Sequence, residues 1–540
     1  MNLQQRTIIC VVSILAIVLS GCGGAVQKVG TIQIPEAKID LGTTIGSLAE
    51  VFPLEPVAVE GYGLVGGLRQ TGSSECPPAI REYLEQYIMK QLGRTNIDVE
   101  RLINSRNTAV VRAYAIMPTD GSRKQYFDIV VAALEGTQTT SLEGGWLYSS
   151  ELKMRDSFGI MVKVLAQAEG PIYMDETDPL QGKDKTKGYV LAGGTVLDEY
   201  KVRLAIHRPD YKIASLIRNR LNGRFGNGTA NAVSPSLIEL TVPAKYTKQK
   251  QRFIEIVRAT YLSETPQATE DRINTFVRKL AVGEDKEQSE VALEAIGNKS
   301  LGRLAALLNS SNEQVRLEAA KCMLDLGNDE GLNTLREIAM DTSSPYRINA
   351  LDAITTAASR NDAAAISRGL LRDDDLDIRL AAYENLRKLD DIAITQTLIG
   401  RNFYLEQIAQ TDHKAIFVSR SGQPRIALFA APIYCRDNVF AESTDGNITI
   451  NAPAGAKYVS IIRRHPKRSN VIVQLQSTFD LSDIIRTLCE EPVKKNDQES
   501  LGLNVSYAEA IALLKQMCEK GVLDAEFRAG PLPKTVQLSR

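Results

Sequence analysis

Residues 56–84 read "PVAVEGYGLVGGLRQTGSSECPPAIREYL". Gly61, Gly63 and Gly66 spell G-x-G-x-x-G, the string of a dinucleotide-binding loop. Such a loop needs a strand, the glycines and then an immediate helix, so that the pyrophosphate meets the helix N-terminus. The strand is plausible here, but "GLRQTGSSECPP" follows Gly66 and helical periodicity starts only near Pro78. An acidic residue lies at a loosely suitable distance, without a βαβ pattern around it. No G-K-[ST] follows that would make a P-loop. The alternative is structural: glycines serve close chain approaches or positive φ. "LEGGWLYSS" (142–150), "YVLAGGTVLDEY" (189–200) and "LNGRFGNGTAN" (221–231) show the same habit beside strand-like sequence. The pattern suits β-rich modules with tight bends and no bound cofactor.

The chain has 540 residues, 64 basic and 65 acidic, which gives no global field for nucleic acid. Its length suggests several domains. His207, His413 and His465 stand far apart, a poor basis for a metal site or histidine catalysis. At the start, "MNLQQRTIICVVSILAIVLSGCGG" has Arg6, an apolar run from Ile8 to Leu19 and then Leu19-Ser20-Gly21-Cys22. The run suits a secretory leader better than a membrane span. Its last four residues resemble a bacterial lipobox, which implies lipidation of Cys22 as the first mature residue. Gly23 follows with no aspartate, so the outer membrane is the expected site of attachment. An ordinary signal peptide or short anchor is the alternative. Processing leaves Cys76, Cys322, Cys435, Cys489 and Cys518, an odd number. They read as mostly buried thiols, with one disulfide open in the last domain.

The fold class expected is α+β: β-rich modules with an inserted all-α solenoid. The divisions are a leader (1–21), a tether (22–50), an α+β region (51–285), helical repeats (286–395) and a C-terminal α+β region (396–540). Strands are expected at 56–61, 108–118, 125–134, 201–207 and 237–243 from β-branched content and partial alternation. Helices are expected over 78–93, where Ile80, Leu84, Tyr87, Ile88 and Leu92 share a face, and over 210–226. The second takes Asp210 as cap and Ile213, Leu216, Ile217 and Leu221 as its apolar face. From about 286 alanine and leucine dominate. "VRLEAAKCMLDLG" (315–327), "YRINALDAITTAA" (346–358) and "IRLAAYENLRKLD" (378–390) recur at spacings of 31 and 32 residues, with Arg316, Arg347 and Arg379 in register. Short paired helices at that period bury their apolar faces by stacking, as HEAT-like repeats do. In the tail, 413–434, 446–464 and 469–476 read as strands. "SYAEAIALLKQMCEKG" (506–521) reads as a helix with a Ser506/Glu509 capping box and Gly521 as its stop.

Four blocks in order resemble the flagellar P-ring protein family: "GYGLVGGLRQTGSS" (61–74), the segment 103–153 with its Leu-x-Gly-Gly turn, the segment 204–243 with its Arg-Pro-Asp step, and "GLNVSYAEAIALLKQMCEKGVLDAEF" (502–527). The resemblance implies a periplasmic structural subunit without catalytic residues or cofactor. It would close with copies of itself into a ring around the distal rod of the flagellar basal body. The outer-membrane ring proteins are the implied partners, with peptidoglycan a further contact. Two features depart from the family pattern, the lipobox and the helical repeats before the last block. They leave open a lipid-anchored envelope scaffold or collar that binds partners through its repeats.

The residues singled out are Cys22 for lipidation, and Gly61, Gly63, Gly66, Gly67, Arg316, Arg347 and Arg379 as structural or assembly positions. The glycines read as architectural, with the subunit boundary as the alternative. The arginines read as repeat-internal pairing or stacking residues, with a partner groove as the alternative. "RRHPKRSN" (463–470) reads as a solvated hairpin end, or a contact for acidic polymer or headgroups. "RDDDLD" (372–377) reads as an acidic helix start and lacks EF-hand spacing. Trp146, Tyr148 and Glu151 suggest a sugar subsite at most. "DETD" (175–178) lacks an evident second carboxylate across a cleft. The expectation is a protein that is not an enzyme and holds no metal.

Overall fold

The computed structural model describes residues 40–52, 57–92, 98–118, 124–155, 162–175, 184–198, 202–247, 249–283, 285–443, 445–465, 468–492 and 502–533. The leader, Cys22 and the tether as far as residue 39 lie outside them, while the last part of the expected tether is folded: Ile45–Leu48 is a helical turn and Ala49 begins the first sheet. The chain divides into residues 1–41, of which only Asp40 and Leu41 are described, and the compact unit Gly42–Arg540.

A four-stranded sheet starts that unit, in the order Ala49–Phe52, Val202–Ile206, Leu237–Leu240 and Ala230–Ser234. Its first two strands pair antiparallel, Ala49 opposite Ile206. Between them the chain leaves to build a closed six-stranded barrel and returns. Around the barrel the order is Val57–Gly66, Ala109–Met117, Tyr126–Ala133, Lys187–Val196, Val164–Pro171 and Trp146–Met154. Alternation supplies its filling: Val111, Ala113 and Ala115 on one strand meet Ile129, Val131, Leu147, Leu152 and Val190 in one buried cluster. The helices Pro78–Leu92 and Val99–Ile103 cover one wall, where Tyr83, Leu84 and Ile103 pack on the outward Leu64 and Val110.

The strand expected at 56–61 runs on to Gly66, because glycines stay extended where a neighbouring strand leaves no room for side chains. The helix Tyr211–Phe225 starts where expected. The Asp210 carboxylate accepts from the backbone N–H of Lys212 at 2.6 Å and Ile213 at 3.2 Å. Its apolar face differs by one position. Ala214, Ile217 and Leu221 are buried, while Leu216 is 46% exposed. The stripe 214–217–221 holds the helical period, and residue 216 is turned about 100° away from it.

Helices then run from Lys250–Ala259 through Pro266–Val282, Lys286–Ile296, Leu301–Leu307, Glu313–Asp325, Glu330–Met340, Arg347–Ala357 and Arg360–Leu370 to Leu376–Lys388. Helical structure thus precedes the compositional change near 286. Phe253, Ile256 and Val257 serve the core of the first sheet, so that helix is rich in large side chains rather than alanine. The three repeat segments each fall on one helix. Three residues after each in-register arginine stand Ala319, Ala350 and Ala382; seven after stand Met323, Ile354 and Leu386. All six are buried.

A mixed five-stranded sheet follows, in the order Thr395–Ile399, Phe403–Ile408, Arg425–Phe429, Ala415–Val418 and Glu526–Ala529. Ala415, Phe417, Ala427 and Phe429 face the last helices, around Tyr383 and Leu386. Ile416, Val418, Ile426 and Leu428 face the other way. They meet the helices Leu481–Cys489 and Tyr507–Glu519 and a four-stranded meander of Val439–Glu442, Ile448–Ala452, Val459–His465 and Arg468–Ser477. The Ser506/Glu509 capping box is formed, and Gly521 lies in the left-handed region at φ +68° beyond the helix end. Cys435, Cys489 and Cys518 are all free thiols.

Candidate assembly site

The glycine strand closes the barrel. Val57–Gly66 pairs with Ala109–Met117 along its length. On its other side it meets Trp146–Met154 only at both ends: Val59 opposite Met154, Glu60 opposite Lys153, Val65 opposite Leu147 and Gly66 opposite Trp146. Between Glu60 and Val65 the register shifts, and the two strands press together. A Cβ on Gly61 would lie 2.0 Å from the Glu151 carbonyl oxygen, and one on Gly63 2.2 Å from the Ser150 Oγ. One on Gly66 would fall 2.6 Å from the Tyr148 ring. Gly67, just past the strand, has φ +79°. The first three glycines are therefore not bends. They are the seam where one strand crowds another, inside the fold of a single chain. No helix follows them before Pro78.

The barrel is bolted to the C-terminal half at the loop between the strands Ala415–Val418 and Arg425–Phe429. The Asp128 carboxylate, on a barrel strand, accepts from the Gly422 N–H at 2.8 and 2.9 Å and from the Ala192 N–H at 2.7 Å. Burial pushes this carboxyl above its ordinary range, against the two N–H groups that pull it down. Beside it Arg420 Nη1 donates to Asp175 at 2.9 Å, and the Tyr173 and Tyr507 rings meet at 6.0 Å. Asp175, read first as part of an acidic run, is thus a docking partner. Sequence reasoning passed over Asp128, since a carboxylate inside an apolar strand is legible only as an anomaly. A cleft of about 470 Å³ opens along the same joint, lined by Arg69, Glu143, Tyr173, Asn402, Arg463 and Glu509 among others.

A second joint ties the first sheet to the helices. Arg252 donates to the buried Glu290 and Glu294, and lies 3.9 Å from Asp325. Tyr246 donates to Glu294 at 3.1 Å. Burial lowers the affinity of Arg252 for its proton, but Glu290 and Glu294 outweigh burial and hold it above its ordinary value. Two carboxylates share one guanidinium, so burial wins at Glu290, whose carboxyl rises to about 7. The three acids lie close enough to hold an ion, but the guanidinium already occupies their centre.

The in-register arginines do related work. Arg316 Nη1 donates to the Ser310 carbonyl at 2.8 Å and Arg379 Nη1 to the Asp373 carbonyl at 2.7 Å, each six residues upstream. Arg347 donates its Nε to the Ala339 carbonyl at 3.0 Å and pairs with Asp373. Each closes the loop entering its own helix. In "RDDDLD" Asp375 caps the helix Leu376–Lys388, which agrees with an acidic helix start. Trp146 and Tyr148 are 44% and 46% exposed on the barrel's outer face, and Glu151 pairs with Lys153 at 3.4 Å.

The sequence pattern described as "Flagellar P-ring protein" matches residues 44–298. That span covers the first sheet, the barrel and the helices to Ile296. A flagellar P-ring protein of Anaeromyxobacter dehalogenans (strain 2CP-C) is 32% identical over 213 residues, 37% of this chain and 54% of the relative. One of Thermotoga maritima is 31% identical over 211 residues, 36% of this chain and 60% of the relative. One of Hydrogenovibrio crunogenus is 26% identical over 267 residues, 46% of this chain and 69% of the relative. The chain spans little more than half the length of the first relatives it matches.

Proposed function

We propose that the chain, whose residues 44–298 match the flagellar P-ring protein family, is a structural subunit of a periplasmic ring around the distal rod of the flagellar basal body, supporting rod rotation and motility. The observation that carries this reading is the family match, which falls on the first sheet and the barrel and includes the glycine seam. A ring repeats one heterologous contact until it closes, and assembly stabilises each subunit by mass action. The chain acts by holding shape and performs no chemistry. Its partners are copies of itself, the rod and the outer-membrane ring, with peptidoglycan a further contact. Cys22 would carry lipid and tie each copy to the outer membrane, and many anchors on one ring hold far more strongly than one. The test is electron microscopy of detergent-solubilised envelopes carrying the tagged protein, with a swimming assay of the deletion strain. Annuli around a rod and loss of swimming are expected. Small complexes without annuli, in cells that swim normally, would overturn the reading.

A second reading has its own observation. The helices from Leu301 to Lys388 lie beyond the matched residues. They would form a HEAT-like docking surface for a partner, on a lipid-anchored envelope scaffold or collar. Deleting 286–395 would then abolish partner capture.

A further inference from the structure

The strand Arg468–Ser477 is an open edge. Among the described residues it pairs only with Val459–His465. That strand in turn pairs with Ile448–Ala452 only from Ser460 to Arg463. Beyond Arg464, whose N–H still donates to the Asn447 carbonyl at 2.7 Å, the meander narrows to a two-stranded ribbon. Val471, Ile472 and Val473 are 42%, 58% and 40% exposed in succession, so both faces of the ribbon meet water. A two-stranded ribbon is marginal alone, and an exposed apolar edge invites a partner. No acid occurs between Val459 and Ser477; Arg463 donates to the Leu503 carbonyl, and Pro466 and Lys467 of the expected hairpin end lie outside the described residues. Arg464 stands exposed opposite Ile472.

The complementary feature lies on the helices. A groove of about 230 Å³ between Glu313–Asp325 and Arg347–Ala357 is lined by Glu287, Glu318, Asp325 and Asp352 against Lys321. Glu318 is 6% exposed. Its Oε2 lies 3.7 Å from Lys321 Nζ and accepts no hydrogen bond. The groove has negative charge to spare and a buried acceptor left over.

The five-stranded sheet separates the two features. The helical series packs on its Ala415–Phe417–Phe429 face and the meander with its ribbon on its Ile416–Leu428 face. Ribbon and groove thus belong to layers that pack on opposite faces of one sheet, an arrangement suited to a head-to-tail contact between two copies.

We propose that the basic ribbon of one copy docks by Arg464 into the acidic groove of the next, around Glu318 and Asp352, and that this contact sets the head-to-tail direction of the assembly. The proposal deepens the ring reading and rests on it. Charged rims of this kind act on encounter and register as much as on affinity.

The test is a charge swap in the full-length, detergent-solubilised chain, followed by mass photometry against protein concentration and by electron microscopy. Arg464 and Asp352 are exposed, so Arg464→Glu and Asp352→Lys should melt like the parent. Each alone is expected to raise the concentration for association at least tenfold. The double variant should recover to within threefold of the parent, and the parent should lose association as salt rises. Annuli that survive both single variants would overturn the ribbon contact and leave the ring standing. A parent chain that stays monomeric would overturn both. If Arg464→Glu instead lost binding to anionic vesicles while self-association held, the ribbon would be a lipid contact and the proposal would fail.

Discussion

A glycine in this chain means different things at different places, and neighbouring atoms decide which. At Gly61 a Cβ would meet a backbone oxygen at 2.0 Å, which no rotamer change relieves. Gly61→Ala should therefore destabilise the barrel by roughly 2–3 kcal/mol, at the upper end of overpacking costs. Denaturant midpoints at unchanged slope would measure it. Gly223 is the control: it sits exposed in the helix Tyr211–Phe225, and a Cβ there meets nothing within 4 Å. Gly223→Ala should stabilise by about 0.5–1 kcal/mol through helix propensity. At Cys22, Cys22→Ser should move the protein from the membrane pellet to the soluble periplasmic fraction on fractionation. Retention in the pellet would sink the lipid anchor.

At the scale of elements, the helical units are joined by arginines that serve loops. Arg347 is buried and bonds both the Ala339 carbonyl and Asp373. Arg347→Met would leave Asp373 with only the neighbouring Arg379 and should cost roughly 1–3 kcal/mol, as orphaning a partly buried hydrogen-bonded group does. Burial works to raise the Asp373 carboxyl, yet the Arg347 hydrogen bond and the Asp375 N–H hold it below the usual range. A depressed acid stabilises above its unfolded value and loses that contribution as pH falls through its folded value. Thermal melts should thus show the parent losing stability at acid pH more steeply than Arg347→Met. The repeat period was legible because Arg316, Arg347 and Arg379 fall in register. Helix Lys250–Ala259 was not, because its large apolar residues serve the sheet beside it.

Across the whole molecule, two buried polar joints hold separate cores together. One is Asp128 with the Gly422 N–H, and the other is Arg252 with Glu290 and Glu294. Their pH dependence has the opposite sign to that of Asp373. Glu290 is raised by burial to about 7, so the folded chain holds its proton where the unfolded chain has released it. Stability from this group is present below the ordinary glutamate range and is lost as pH rises toward 7. Glu290→Gln should flatten the fall of melting temperature between pH 5 and pH 7.5. An unchanged slope would show that Glu290 is ionised throughout.

The order of residues alone determined the local elements. Alternation marked the strands, 3.6-residue spacing marked the helices, and Asp210, Ser506 and Gly521 marked where helices start and stop. These signals act within a few residues, so one sequence carries them. The same locality showed that the glycine string had no helix behind it. Tertiary structure decided what the string was for. Gly61 and Gly63 are required by Glu151 and Ser150, about ninety residues downstream, and only barrel closure brings them together. Likewise Asp128 finds Gly422, and Arg252 finds Glu290, through packing between cores. Close approach across a long loop depends on where the chain returns, which no short window of sequence contains.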